Sequence, residues 1–143
     1  MSNFKGHSNA GAVAALAAGG IGLVTFTLPQ ALAGALATYC FALFPDLDTK
    51  STPSKIFYIL IIGVLSLLFF QGFYKQATVV AIFAVIPQIL NHRGFLHSFM
   101  ASLLIPLGLL ALFALGIAPF RLAIFLTLCG VLGYWTHLLL DKF

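Results

Sequence analysis

Charged residues interrupt this chain at only a few places, and their spacing limits what it can fold into. Uncharged stretches cover residues 6–45, 56–74, 76–92, 94–120 and 122–140 of the 143. A helix needs about 20 mostly apolar residues to cross the hydrocarbon core of a bilayer. Within lipid the backbone polar groups must be satisfied internally, which leaves helices or closed barrels as spanning structures. A composition of 62% hydrophobic and 7% charged residues, with a mean hydropathy of +1.11, lies far outside the soluble globular range. The chain therefore reads as a membrane protein.

The first stretch is long enough for two helices, and Leu28-Pro29-Gln30 is the natural break, because proline disfavours helix in the residue before it. Six helices are predicted, at about 8–28, 29–44, 54–73, 76–90, 98–115 and 119–142. The fold class is all-α, a polytopic membrane helix bundle in one domain over residues 1–143. The second and fourth segments are short for a full span, so tilt or partial submersion is expected. Pro87 predicts a kink near the end of the fourth. Ala14, Ala18, Gly22, Gly34 and Thr38 predict close packing of the first two helices. A lysine-bearing start and Ala31-Leu32-Ala33 resemble a cleavable signal, but the apolar run exceeds a signal core and the first helix is read as retained. Cys40 and Cys129 lack CxxC spacing and read as buried thiols.

Alternation of six helices puts the N-terminus, the second loop (PDLDTKSTPSK), the fourth loop (NHRGFLH) and the C-terminus on one side of the membrane. Every histidine and every acid falls on that side: His7, Asp46, Asp48, His92, His97, His137 and Asp141. Taken singly, each has an ordinary role. A histidine in a membrane helix is commonly a packing residue, Asp48 could cap the third helix, and Asp46 could close an Asx turn. Arg93 and Lys142 could be interfacial anchors. Random scatter, however, would leave some of these residues elsewhere.

Carboxylates at low dielectric are costly unless paired or bound to metal. Seven His and Asp side chains can supply two divalent cations, zinc or else manganese or iron. His137 and Asp141 are four apart on one helical face and would clamp one ion. Asp46 and Asp48 cannot share a helical face, so Pro45 is expected to break the second helix and let both point inward. Gly94 is expected to give a tight loop between His92 and His97.

In order along the chain, His7-x3-Gly11, PDLD (residues 45–48), HRGFLHS (92–98) and HLLLD (137–141) resemble the YdjM-like family of LexA-regulated, membrane-bound, metal-dependent hydrolases. The resemblance covers nearly the whole chain, and HRG-x-x-HS is its most specific element. It implies metal binding at His7, Asp46, Asp48, His92, His97, His137 and Asp141, and kinship with zinc-dependent phospholipase C and nuclease folds. Members commonly carry Thr where this chain has Leu96, and many run on beyond the final HxxxD.

Other chemistries fit the residues less well. Glutamate is absent, so an HExxH metalloprotease is excluded. No GxSxG nucleophile motif occurs. HLLLD is like the ending of phosphatidic acid phosphatases, but their basic first motif and PSGH motif are missing. The expected reaction is metal-assisted hydrolysis of a phosphoester, in a lipid head group or lipid phosphate, with a water shared by two ions as nucleophile. Asp48 would bridge the ions or take the water's proton, and Arg93 would bind the phosphoryl oxygens. The alternative is a non-catalytic metal-binding protein or a transporter, although transport favours ligands near the bilayer midplane.

Lys5, Lys50, Lys55, Arg93 and Lys142 lie on the motif side against Lys75 and Arg121 opposite, which predicts a site facing the cytoplasm from the inner membrane. The net charge of +4 is spread over loops and gives no basic run for nucleic acid.

Overall fold

The structure is a computed structural model that describes residues 4–47, 52–89, 93–114 and 118–141. Among them are six long helices, α1 (Phe4–Thr25), α2 (Leu28–Leu43), α3 (Thr52–Phe70), α4 (Tyr74–Ile89), α6 (Phe99–Ala114) and α7 (Phe120–Asp141), with a single turn, α5 (Arg93–Leu96), before α6. The described residues contain no strand.

The punctuation read from the sequence acts where expected. α1 stops at Thr25 and α2 starts at Leu28, with Pro29 in its first turn, where a missing N–H deprives no helical carbonyl. The Gln30 side chain folds back to accept the Thr27 N–H at 3.2 Å. Between α3 and α4 the chain reverses at Gly72, whose φ of 78° lies in the left-handed region that favours glycine.

Pro45 ends the α-helix as expected: α2 stops at Leu43 and Phe44–Asp46 follow as a 3-10 turn, in which the Leu47 N–H donates to the Phe44 carbonyl at 3.3 Å. A 3-10 pattern tolerates proline here because its first residues need no donor. The tight loop expected at Gly94 is corrected in one respect: Gly94 lies within the single helical turn α5, from which the chain passes through His97 into α6. The chain between α4 and α6 thus gains a turn of helix.

Among the described residues, three stretches are long and apolar enough to cross a membrane, Ser8–Thr25, Leu28–Asp46 and Phe120–Asp141. The second qualifies because the 3-10 turn extends it. The described parts of α4 and α6 are 16 residues each, about 24 Å of helix.

α2 lies between α1 and α7, α6 packs on α7, and α3 pairs with α4. Small residues set the central spacing. A Cβ at Gly133 of α7 would fall on the Thr38 carbonyl of α2, and one at Gly34 would fall on the Phe125 ring. Thr38 is fully buried and returns its hydroxyl to the Gly34 carbonyl at 3.0 Å, so it brings no unmet donor into the contact. Toward one end this seam meets an aromatic cluster. The Phe44 ring lies 5.5 Å from Phe41, 6.1 Å from Phe57 and 6.1 Å from Tyr134. The outer faces carry Leu16, Val24, Phe70 and Ile89, all highly exposed, as suits helices bathed in lipid.

Candidate metal centre

Three separate pieces of chain bring polar groups together at the end of this aromatic cluster. Asp46 comes from the 3-10 turn after α2, His97 from the connection between α5 and α6, and His137 and Asp141 from successive turns of α7. His137 Nε2 lies 3.6 Å from Asp46 Oδ1 and 3.2 Å from Asp141 Oδ2. His97 Nε2 lies 3.6 Å from Asp46 Oδ1 and 3.5 Å from Asp141 Oδ2. The His137 side chain is wholly buried, whereas those of Asp46 and His97 are each 33% exposed, so the cluster has a dry side and a wet side.

The orientation of His137 is fixed by the backbone. Its Nδ1 is 2.9 Å from the Ala42 carbonyl oxygen. A carbonyl can only accept, so the Nδ1–H donates, and in a neutral ring the Nε2 lone pair points toward two carboxylates. Electron pairs converging at this range are relieved by a proton between them or by a metal ion. A carbonyl behind a ligating histidine is the usual outer support of a metal-binding imidazole.

His97 is held less directly. Tyr134 and Leu96 are both fully buried, and the Tyr134 hydroxyl donates to the Leu96 carbonyl at 2.5 Å. This bond ties α7 to the residue immediately before His97. On the other side, the Ser98 hydroxyl accepts the Ala101 N–H at 3.1 Å and caps α6. The imidazoles of His97 and His137 then meet edge to face, with centroids 5.5 Å apart.

The residues fit a divalent cation. Zinc ligands at about 2.0–2.1 Å in a tetrahedron lie about 3.3 Å from one another, close to the His-to-carboxylate separations of 3.2–3.6 Å. Ligand atoms of Asp46, His97 and His137 all lie within 4.8 Å of one another. Asp141 stands beside this trio, 3.2 Å from His137 and 3.5 Å from His97, so a second carboxylate is at hand to balance a dication.

Beside the cluster, a groove of about 400 Å³ opens between α6 and α7, lined by His97, Phe99, Trp135, Leu138, Leu139 and Asp141. The Trp135 ring stacks on Phe99 at 5.8 Å, and its Nε1–H donates to the Ser102 hydroxyl at 3.0 Å. The wall is therefore an anchored aromatic surface.

Of the seven histidines and aspartates singled out in the sequence, the structure unites Asp46, His97, His137 and Asp141. Asp48 and His92 lie outside the described residues, as do the side chains of His7 and Arg93. The start of α1 does lie beside the end of α2, since Ser8 Oγ is 3.0 Å from Tyr39 Oη and a Cβ at Gly11 would come within 2.8 Å of Ala42 Cβ. Tyr134 and the Ala42 carbonyl were not anticipated. Tyr134 could have been, because it precedes His137 by three and Asp141 by seven, on the same helical face.

No curated protein and no solved structure matches this chain. A family match does exist and agrees with the motif order, the apolar helices and the polar cluster: over residues 1–143 the sequence fits the YdjM inner membrane protein family, and the chain belongs to that family.

Proposed function

We propose that this inner membrane protein is a metal-dependent hydrolase that cleaves a phosphoester, in a lipid head group or a lipid phosphate, at one face of the bilayer. The observation that carries this reading is the convergence of two imidazoles and two carboxylates, with His137 aimed by a backbone carbonyl. Asp46, Asp141, His97 and His137 would hold one divalent ion, zinc or else manganese or iron. His7, Asp48 and His92 are the residues available for a second. A bound cation would supply Lewis acidity toward a phosphoryl oxygen and a more acidic water.

The protein groups do the rest. The Ala42 carbonyl keeps the His137 lone pair on the cluster, and the Tyr134 bond to Leu96 sets the position of His97. The one-third exposure of Asp46 leaves the wet side open to a head group. Arg93 would neutralise charge growing on the phosphoryl oxygens, a task suited to its planar fork. Asp48 would accept the proton of the attacking water. The helices run as a multi-pass bundle, with both termini and the site on the cytoplasmic side, supported by the excess of lysine and arginine in the motif-bearing segments.

The test is a metal analysis of purified protein, followed by assays on phospholipids, lipid phosphates and soluble phosphodiesters. Asp46→Ala should insert normally, since apolar length drives insertion, yet lose metal and turnover. Full metal content in that variant would remove the site as drawn. Metal-loaded protein that leaves every phosphoester intact would remove hydrolysis and favour a binding or transport role.

A further inference from the structure

The groove between α6 and α7 has an unusual position. One end is formed by His97 and Asp141, which also belong to the polar cluster, while Phe99, Trp135, Leu138 and Leu139 supply the rest of its lining. Polar and apolar surface thus meet within a single depression. Its volume of about 400 Å³ falls in the range of roughly 300–1,000 Å³ typical of small-molecule sites. Exposed Leu128 and Leu132 share one face of α7 with Trp135 and Leu139, and Met100 and Leu104 are exposed on α6, so apolar surface leads along the helices toward the groove.

We infer that this groove seats one hydrocarbon chain of a lipid monophosphate drawn sideways from the surrounding leaflet, with the phosphate at the His97/Asp141 end and Trp135 as the wall that selects the chain. The inference rests on the proposed function, since Asp141 would repel a phosphate unless a cation lay between them. Charge decides the orientation. An anionic head adjoins the cation-binding end, and the chain leaves along the apolar wall toward lipid. Trp135 is suited to recognition because its ring is held twice, by stacking on Phe99 at 5.8 Å and by its hydrogen bond to the buried Ser102. A ring fixed in advance loses little rotamer freedom when a chain lies against it.

Trp135 is the single tryptophan of the sequence, so the wall reports on its own occupancy. Full-length protein, loaded with metal, is placed in phosphatidylcholine vesicles doped at low mole fraction with brominated phosphatidic acid or, separately, brominated phosphatidylcholine. Bromine quenches an indole that it touches. The expected result is stronger quenching by the brominated phosphatidic acid, with the preference lost on chelation, in Asp46→Ala and in Leu139→Phe. Leu139 is 56% exposed, so a larger side chain there narrows the groove without entering the core. Equal quenching by the two lipids, or a preference that survives chelation or Leu139→Phe, would overturn the inference. Phosphate release is measured on the same vesicles. Release without selective quenching would leave hydrolysis standing and remove the groove, whereas selective quenching without release would do the reverse.

Discussion

Tyr134→Phe isolates one atom of the support around the cluster. The substitution keeps the ring that packs 6.1 Å from Phe44 and removes only the hydroxyl that donates to the Leu96 carbonyl. Both residues are fully buried, so water cannot replace the lost donor without opening the packing. Losing one partner of a buried hydrogen bond costs about 1–3 kcal/mol. If the segment before His97 relaxes to recover that energy, the cost appears as misplacement of a ligand. At about 1.4 kcal/mol per factor of ten, metal affinity should fall roughly 5- to 150-fold, close to the 10- to 100-fold typical of outer-shell changes. The assay is a competition titration of the solubilised protein against a chromophoric chelator. Tyr58→Phe is the control, because it removes a hydroxyl of the α3–α4 contact, bonded to the Ala84 carbonyl at 3.2 Å, and should leave affinity unchanged. Wild-type affinity in Tyr134→Phe, or an equal loss in Tyr58→Phe, would refute the reasoning. A further loss when Tyr134→Phe is added to His97→Ala would show that the hydroxyl does not act through His97.

Gly133→Ala should force α7 from α2, because the new methyl would meet the Thr38 carbonyl, and should cost about 1–3 kcal/mol in thermal or denaturant unfolding. Gly63→Ala, where nothing lies within 4 Å, should be neutral or stabilise α3 by up to about 1 kcal/mol. Arg93→Lys should retain metal and lose most turnover, since charge remains without bidentate geometry; wild-type turnover would make Arg93 an anchor alone. A cysteine at Ser51, with Cys40 and Cys129 replaced, should resist an impermeant thiol reagent in intact cells, and ready labelling would place that loop outside.

Much of the architecture was legible in the charges and in Pro29. The uncharged runs anticipate six helices because a lone charge in lipid costs more than any local preference, and Pro29 suits the first turn of a new helix better than the interior of a long one. Asp46, His97, His137 and Asp141 could be grouped by alternation of helices alone, with no geometry. What escaped the sequence was carried by backbone atoms. The carbonyls of Ala42 and Leu96, which orient His137 and the approach to His97, belong to residues whose side chains suggest nothing.

The bond from His137 to the Ala42 carbonyl joins residues 95 apart in sequence. Together with Tyr134 and Asp141 it makes α7, the last of the described helices, the contributor of half the cluster and of the hydroxyl that holds the Leu96 carbonyl. Earlier helices can enter the membrane with Asp46 and His97 in place, but those two carry no cation site until α7 docks and Gly133 closes on Thr38. A chain that stops before residue 120 holds Asp46 and His97 but lacks the His137 and Asp141 that complete the polar cluster.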